Sequence, residues 1–285
     1  MRHGKRWRED GMRAGKVYLR TSSKLKSLTK PSSKGYLNGP ELGGIMETLP
    51  YLIVIMLLAG FIQGFTGFGS VLLSLPLLAL FMDIKTAIPL VAMMGVLLTI
   101  LLLIPLWKDL EWQRIWPLLA GAAPGVPLGV FMLKFMDGRL ILTLLGLILV
   151  CYSLYSLLFP MIRRELGSIW AYLTGFLAGC FGGAFSAAGP PVIIYVSLQP
   201  WRKELIKVTL QGFYFASGLM VVTAQTLTGM VTDRVIELFL YSLAPLTLGT
   251  YAGHFFFGKI REETYRRVIL ILLLCLGVFT IWNAG

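Results

Sequence analysis

The sequence predicts an all-α protein, a polytopic transmembrane helical bundle of two homologous halves, each opening with a broken helix. Three observations predict it. Hydrophobic residues make up 56% of the 285 residues and charged residues only 14%, a balance outside that of soluble domains. Beyond residue 46 the chain is a series of apolar stretches joined by short charged loops. Two of these stretches, 48–82 and 166–201, contain no charge and are too long for one helix. At 1.5 Å per residue each would extend roughly 52 Å, against ~30 Å of hydrocarbon.

The first 45 residues form a basic Ser/Gly/Lys-rich arm, with eleven Lys/Arg and three Asp/Glu. Such a composition does not fold by itself. It reads as an anionic-lipid tether, a targeting segment, or an over-extended start, since Met46 stands directly before the first apolar run. Residues 46–160 form the first half and 161–285 the second. Each begins with a Gly-interrupted stretch, "GFIQGFTGFGSVLLSLP" from Gly60 and "GFLAGCFGGAFSAAGPPV" from Gly175, followed by three ordinary spans. Those spans are 87–106, 115–133 and 140–159, then 208–228, 238–258 and 268–285, each near the roughly 20 residues that cross a bilayer.

Short similarities tie the halves together. "LAGFIQG" at 58–64 resembles "LTGFLAG" at 173–179, an offset of 115, and "PLG" at 127–129 matches "TLG" at 247–249, an offset of 120. The drift predicts a few extra residues around 185–188. Internal repeats with glycine-interrupted segments in corresponding places are the pattern of secondary transporters. If each broken segment returns to its own side, the loops at 107–114, 160–168, 200–207 and 259–267 share a face carrying eleven Lys/Arg against four. If each crosses once, the split is ten against five. The first arrangement is the better fit to the positive-inside rule and makes the repeats inverted.

A break in hydrocarbon leaves unpaired backbone groups, tolerated only against protein or a water-lined cavity. The helix restarting near Ser70, and the one restarting near Gly189 and Pro190, each present free N–H donors and about half a positive charge. Two such ends near the midplane would hold an anion. Gly67 and Gly69 permit the close approach; Thr66, Ser70 and Ser186 add hydroxyls, and Gln63 and Gln211 amides. With no Lys, Arg, Asp or Glu in mid-span, dipoles and neutral donors must do the binding. His254 is the one ionisable residue well inside a span, a candidate for proton coupling against the plainer alternative of packing. Gly60/Gly64, Gly121/Gly125/Gly129, Gly175/Gly179/Gly183 and Gly249/Gly253 have the spacing that packs transmembrane helices. Trp107, Trp112, Trp116, Trp170 and Trp201 read as interface anchors. Cys151, Cys180 and Cys275 all lie in apolar stretches and suggest neither a disulfide nor a metal site.

The paired motifs "GFTGFGSVLLSLPLL" and "GGAFSAAGPPVIIY" resemble the sulfite exporter TauE/SafE family, over about residues 48–284. The resemblance implies a multi-pass protein of the bacterial inner membrane that moves sulfite, sulfonates or related small organic anions. By position Gly64, Gly67, Gly69, Ser70 and Pro76 match the first motif, and Gly179, Gly182, Gly183, Gly189 and Pro190 the second. The family's triple glycine is here Phe68-Gly69-Ser70, and Ser186-Ala187-Ala188 interrupts the second copy. The expected partners are a small anionic substrate and the lipid bilayer, with a homo-oligomer compatible, no nucleic acid and no cofactor. An anion channel of the same fold and a non-transporting assembly partner are the competing readings. An enzyme is not expected, since no Asp pair, HExxH or GxSxG lies in any span.

Overall fold

The computed structural model describes residues 43–158, 165–256 and 262–284, and these are helical without a strand. In the first half, α1 (Gly43–Thr66) is followed by α2 (Ser70–Leu78), α3 (Ile84–Leu103), a 3-10 stretch (Ile104–Asp109), α4 (Trp112–Phe135) and α5 (Gly138–Leu158). In the second half come α6 (Ser168–Phe185), α7 (Gly189–Leu198), α8 (Lys203–Leu227), α9 (Asp233–Phe256) and α10 (Glu262–Ala284). Seven of the described helices are long and apolar enough to cross a membrane. The chain is a multi-pass membrane protein. Of the basic arm expected over 1–45, residues 1–42 lie outside the described residues, as do 159–164 and 257–261 of two charged loops.

Both broken segments turn back on themselves. Tyr51, near the start of α1, stacks on Phe81, three residues beyond α2, with ring centroids 4.5 Å apart. In the second half the buried Gln199 side chain accepts from Leu166 N–H at 3.4 Å and donates to Leu166 O at 3.3 Å. The two ends of each uncharged stretch therefore meet, which selects the returning arrangement over the single crossing. The hairpins enter from opposite faces. Gln199 is near Trp201, whose ring carries the Arg114 guanidinium at 4.7 Å. The Phe81 end runs into Asp83–Lys85, and Lys85 Nζ donates to Lys134 O at 3.4 Å. Between these faces runs α3, about 30 Å long.

Glycines weld the halves crosswise. A Cβ on Gly60 would fall 2.3 Å from Leu246 O, and one on Gly64 2.1 Å from Thr250 O. In return, a Cβ on Gly249 or Gly253 would fall 2.2 or 2.1 Å from Leu57 O or Phe61 O. So α1 of the first half packs on α9 of the second. The same contact joins α6 to α4: a Cβ on Gly121, Gly125 or Gly129 would fall 2.1–2.3 Å from Tyr172 O, Phe176 O or Cys180 O, and one on Gly175 or Gly183 would fall 2.0 or 2.4 Å from Leu118 O or Val126 O. Lipid supplies no hydrophobic drive between helices, so this backbone proximity and its dispersion contacts hold the bundle.

Three sequence expectations change. Exactly three residues separate the arms of each hairpin, 67–69 and 186–188, so the second break has no extra residues. The offset at the break is 119, not 115; with a glycine every fourth residue, adjacent turns look alike and the short match slipped by one turn. Gly64 thus corresponds to Gly183, and both press on a partner backbone. The loop expected over 200–207 is already helix from Lys203, with Glu204 in the first turn where the helix dipole favours a carboxylate. Trp201 is half-buried under Arg114 and against Tyr195, whereas Trp107, Trp112, Trp116 and Trp170 are exposed.

Candidate functional site

The first hairpin tip is held by two glutamines, Gln63 from within and Gln211 from α8. Gly67 (φ 81) and Gly69 (φ 96) occupy the left-handed region, where a Cβ is strained. Gln63, in the last turn of α1, donates from Nε2 to Gly67 O at 3.3 Å. Its Oε1 accepts from Ser70 N–H at 3.2 Å and from the Ser70 hydroxyl at 2.8 Å, tying the end of α1 to the start of α2. The Thr66 hydroxyl donates to Ile62 O at 2.7 Å or to Phe68 O, and accepts from Phe68 N–H at 3.3 Å. From α8, Gln211 Nε2 donates to Gly67 O.

Gln63→Leu removes three of these bonds and leaves the buried Ser70 N–H and O–H without an acceptor. Unmade bonds at buried groups cost about 1–3 kcal/mol each. The thermal midpoint of the purified protein should therefore drop by several degrees, a shift that thermal unfolding in detergent would register.

The second tip is built differently. Ser186 takes the left-handed position (φ 54) that Gly67 takes in the first. Its N–H donates to Gly182 O at 2.8 Å, and its hydroxyl to Ile88 O on α3 at 2.9 Å. Gln225 of α8 reaches the Ser186 hydroxyl at 3.5 Å. Then α7 starts with Gly189-Pro190-Pro191. Neither proline has an N–H, so this helix end offers fewer donors than a general helix N-terminus.

The two tips meet at one cavity of about 80 Å³. Gly69 and Ser70 line it from the first tip, Ser186 and Gly189 from the second, Gly95 and Thr99 from α3, and Tyr214 and Ser217 from α8. Gly95 and Tyr214 sit near the middle of helices that run from face to face, which sets the cavity at mid-depth. A single water needs roughly 10–15 Å³ of such volume, so there is room for a small hydrated ion or a compact oxyanion. Every lining side chain is uncharged.

Of the predicted site residues, Gln63, Gly69, Ser70, Ser186 and Gly189 line the cavity. Thr66, Gly67 and Gln211 stand behind the first tip and shape it; Pro190 is buried at the start of α7. The side chains of Gln63, Thr66, Ser70 and Ser186 and the Nε2 of Gln211 are engaged in holding the breaks, while Gln211 Oε1 is buried without a partner. His254 lies elsewhere, with an exposed side chain in the last turn of α9.

Sequence reasoning named Gln211 but missed the rest of the α8 face. Gln211, Tyr214, Gly218, Val221 and Gln225 recur at helical spacing, and Gln211 and Gln225 grip the two tips from positions about 21 Å apart along the helix. That 14-residue separation, four turns on one face, was the available signal. Lys207, one turn before Gln211, also passes Gly67: its Cε would lie 3.9 Å from a Cβ there. No cluster of three or more His, Cys, Asp or Glu able to hold a metal occurs among the described residues.

The model of the family described as "Sulfite exporter TauE/SafE" matches residues 52–280, from within α1 into α10 and including both hairpin tips. The chain belongs to the TauE/SafE family. Among curated proteins, the "Probable sulfite/organosulfonate exporter TauE" of Cupriavidus necator is 22% identical over 174 residues, covering 60% of this chain and 68% of the relative. No solved structure matches. In this TauE/SafE chain the matched span brings both glycine-rich motifs to the same cavity.

Proposed function

We propose that the protein is a secondary carrier of small, singly charged anions, sulfite in its protonated form or sulfonates before other organic acids, residing in a bacterial inner membrane. The observation that carries this reading is the convergence of two oppositely entering hairpin tips on one uncharged cavity. The name of the C. necator relative supports the substrate class. Hairpins that return to their own side leave three crossings per half, so the halves are inverted relative to one another, and rocking of one against the other would expose the cavity alternately. The α2 and α7 N-termini supply partial positive charge without a cation. A second full negative charge would have to be buried uncompensated, which is costly, so dianions are disfavoured.

Flux of labelled sulfite into proteoliposomes of the full chain tests the reading. Saturable uptake, competed by methanesulfonate and far less by sulfate, is expected. Uptake that never saturates would make the protein a channel. No uptake by inserted protein would remove the carrier reading.

A further inference from the structure

We propose that Tyr214 is an anion-binding residue: its phenolic hydroxyl, together with the Gly189 N–H, donates to one oxyanion group held in the cavity. The inference rests on the carrier reading and names the donor that the second tip otherwise lacks. At the start of α7, Pro190 and Pro191 carry no N–H, so Gly189 is the only donor before Val192. The Gly189 N–H itself has no acceptor on its own helix. One amide is a thin site for an anion, and a further donor is required close to it.

Tyr214 is placed to be that donor. Its side chain lines the cavity. Its hydroxyl oxygen lies 3.5 Å from where a Cβ on Gly189 would stand, so the phenol sits beside the first residue of α7. That hydroxyl is shut away from solvent and has no hydrogen-bond partner among the described residues. Buried hydroxyls are nearly always paired, because an unpaired one keeps its desolvation cost without return. Other polar groups at the tips, those of Gln63, Ser70 and Ser186, are bonded to protein. The Oε1 atoms of Gln211 and Gln225 are unpaired too, but both are acceptors, so the phenol is a buried donor left over at the cavity, beside a helix start whose dipole favours negative charge. A phenol donates to an oxyanion while adding no charge, which fits a monoanion such as a sulfonate better than a dianion.

Tyr214→Phe keeps the ring and deletes the donor. In full-length protein in proteoliposomes, the half-saturation concentration for labelled methanesulfonate should rise roughly ten- to hundredfold, the loss of one hydrogen bond to a charged group. The thermal midpoint without anion should stay level or rise slightly, because no protein partner loses a bond. A merely structural tyrosine would show the reverse: a lower midpoint with half-saturation unchanged. Saturable wild-type flux with the same half-saturation in Tyr214→Phe overturns this inference alone. Absence of saturable wild-type flux overturns the carrier reading and the inference with it.

Discussion

Gly95→Leu is expected to insert and melt like the wild type and to carry no anion. Nothing stands within 4 Å of a Cβ built on Gly95, because that position opens onto the cavity between the hairpin tips. A leucine there fills the space that a substrate would occupy and displaces no backbone. Its effect on the helix is, if anything, favourable, since glycine in a helix interior costs about 1 kcal/mol relative to alanine and leucine is a strong helix former. Substitutions at the tips are less clean: Gly69 sits at φ 96, so any side chain there strains the turn as well as obstructing the cavity. Flux in proteoliposomes, paired with thermal unfolding in detergent, separates the two effects for Gly95→Leu. Wild-type flux in this variant would show that the cavity is not on the transport path.

Gly175→Ala should fail in the opposite way, losing the fold. The added Cβ would lie 2.0 Å from Leu118 O and 2.8 Å from Leu118 C, both backbone atoms of α4 that no rotamer change can move. To restore a tolerable contact the helices must part by about 1 Å, and Gly179 and Gly183 further along the same seam would lose their contacts with it. Overpacking of this kind costs typically 1–3 kcal/mol and, where backbone meets backbone, more. The expected result is loss of monodisperse protein and a much lowered melting point, whereas Gly95→Ala, a change of the same chemistry, leaves both unchanged. Equal melting of the two alanine variants would contradict the packing described for α4 and α6.

The contrast between these two glycines also shows what a sequence of this kind discloses. Length against bilayer thickness gave the ordinary spans, and glycines gave the breaks and the seams, because both follow from geometry local to one segment. Whether the broken segments return or cross was nearly balanced in the Lys/Arg counts. It was decided by contacts between residues 30 or more apart, Tyr51 with Phe81 and Leu166 with Gln199. At the site, the residue types that carry donors were evident, but not their acceptors. Gln63 looked like a ligand for an anion and is the clamp of the first tip. Tyr214 carries no mark in the sequence that sets it apart from other aromatics of apolar helices. What sets it apart is a hydroxyl with no partner among the described residues on a side chain that lines the cavity, which only the packed structure reveals.

The most direct test asks whether the anion occupies the cavity between the tips. In full-length protein with Cys151, Cys180 and Cys275 replaced by alanine, Gly95→Cys places a single thiol at that cavity, and the rate of its reaction with a small polar alkylating reagent reports access to it. A sulfonate at concentrations that saturate flux should slow the reaction severalfold, with sulfate having little effect. Alkylation that proceeds at the same rate with and without the transported anion would place the substrate elsewhere and contradict a binding site made by the two hairpin tips.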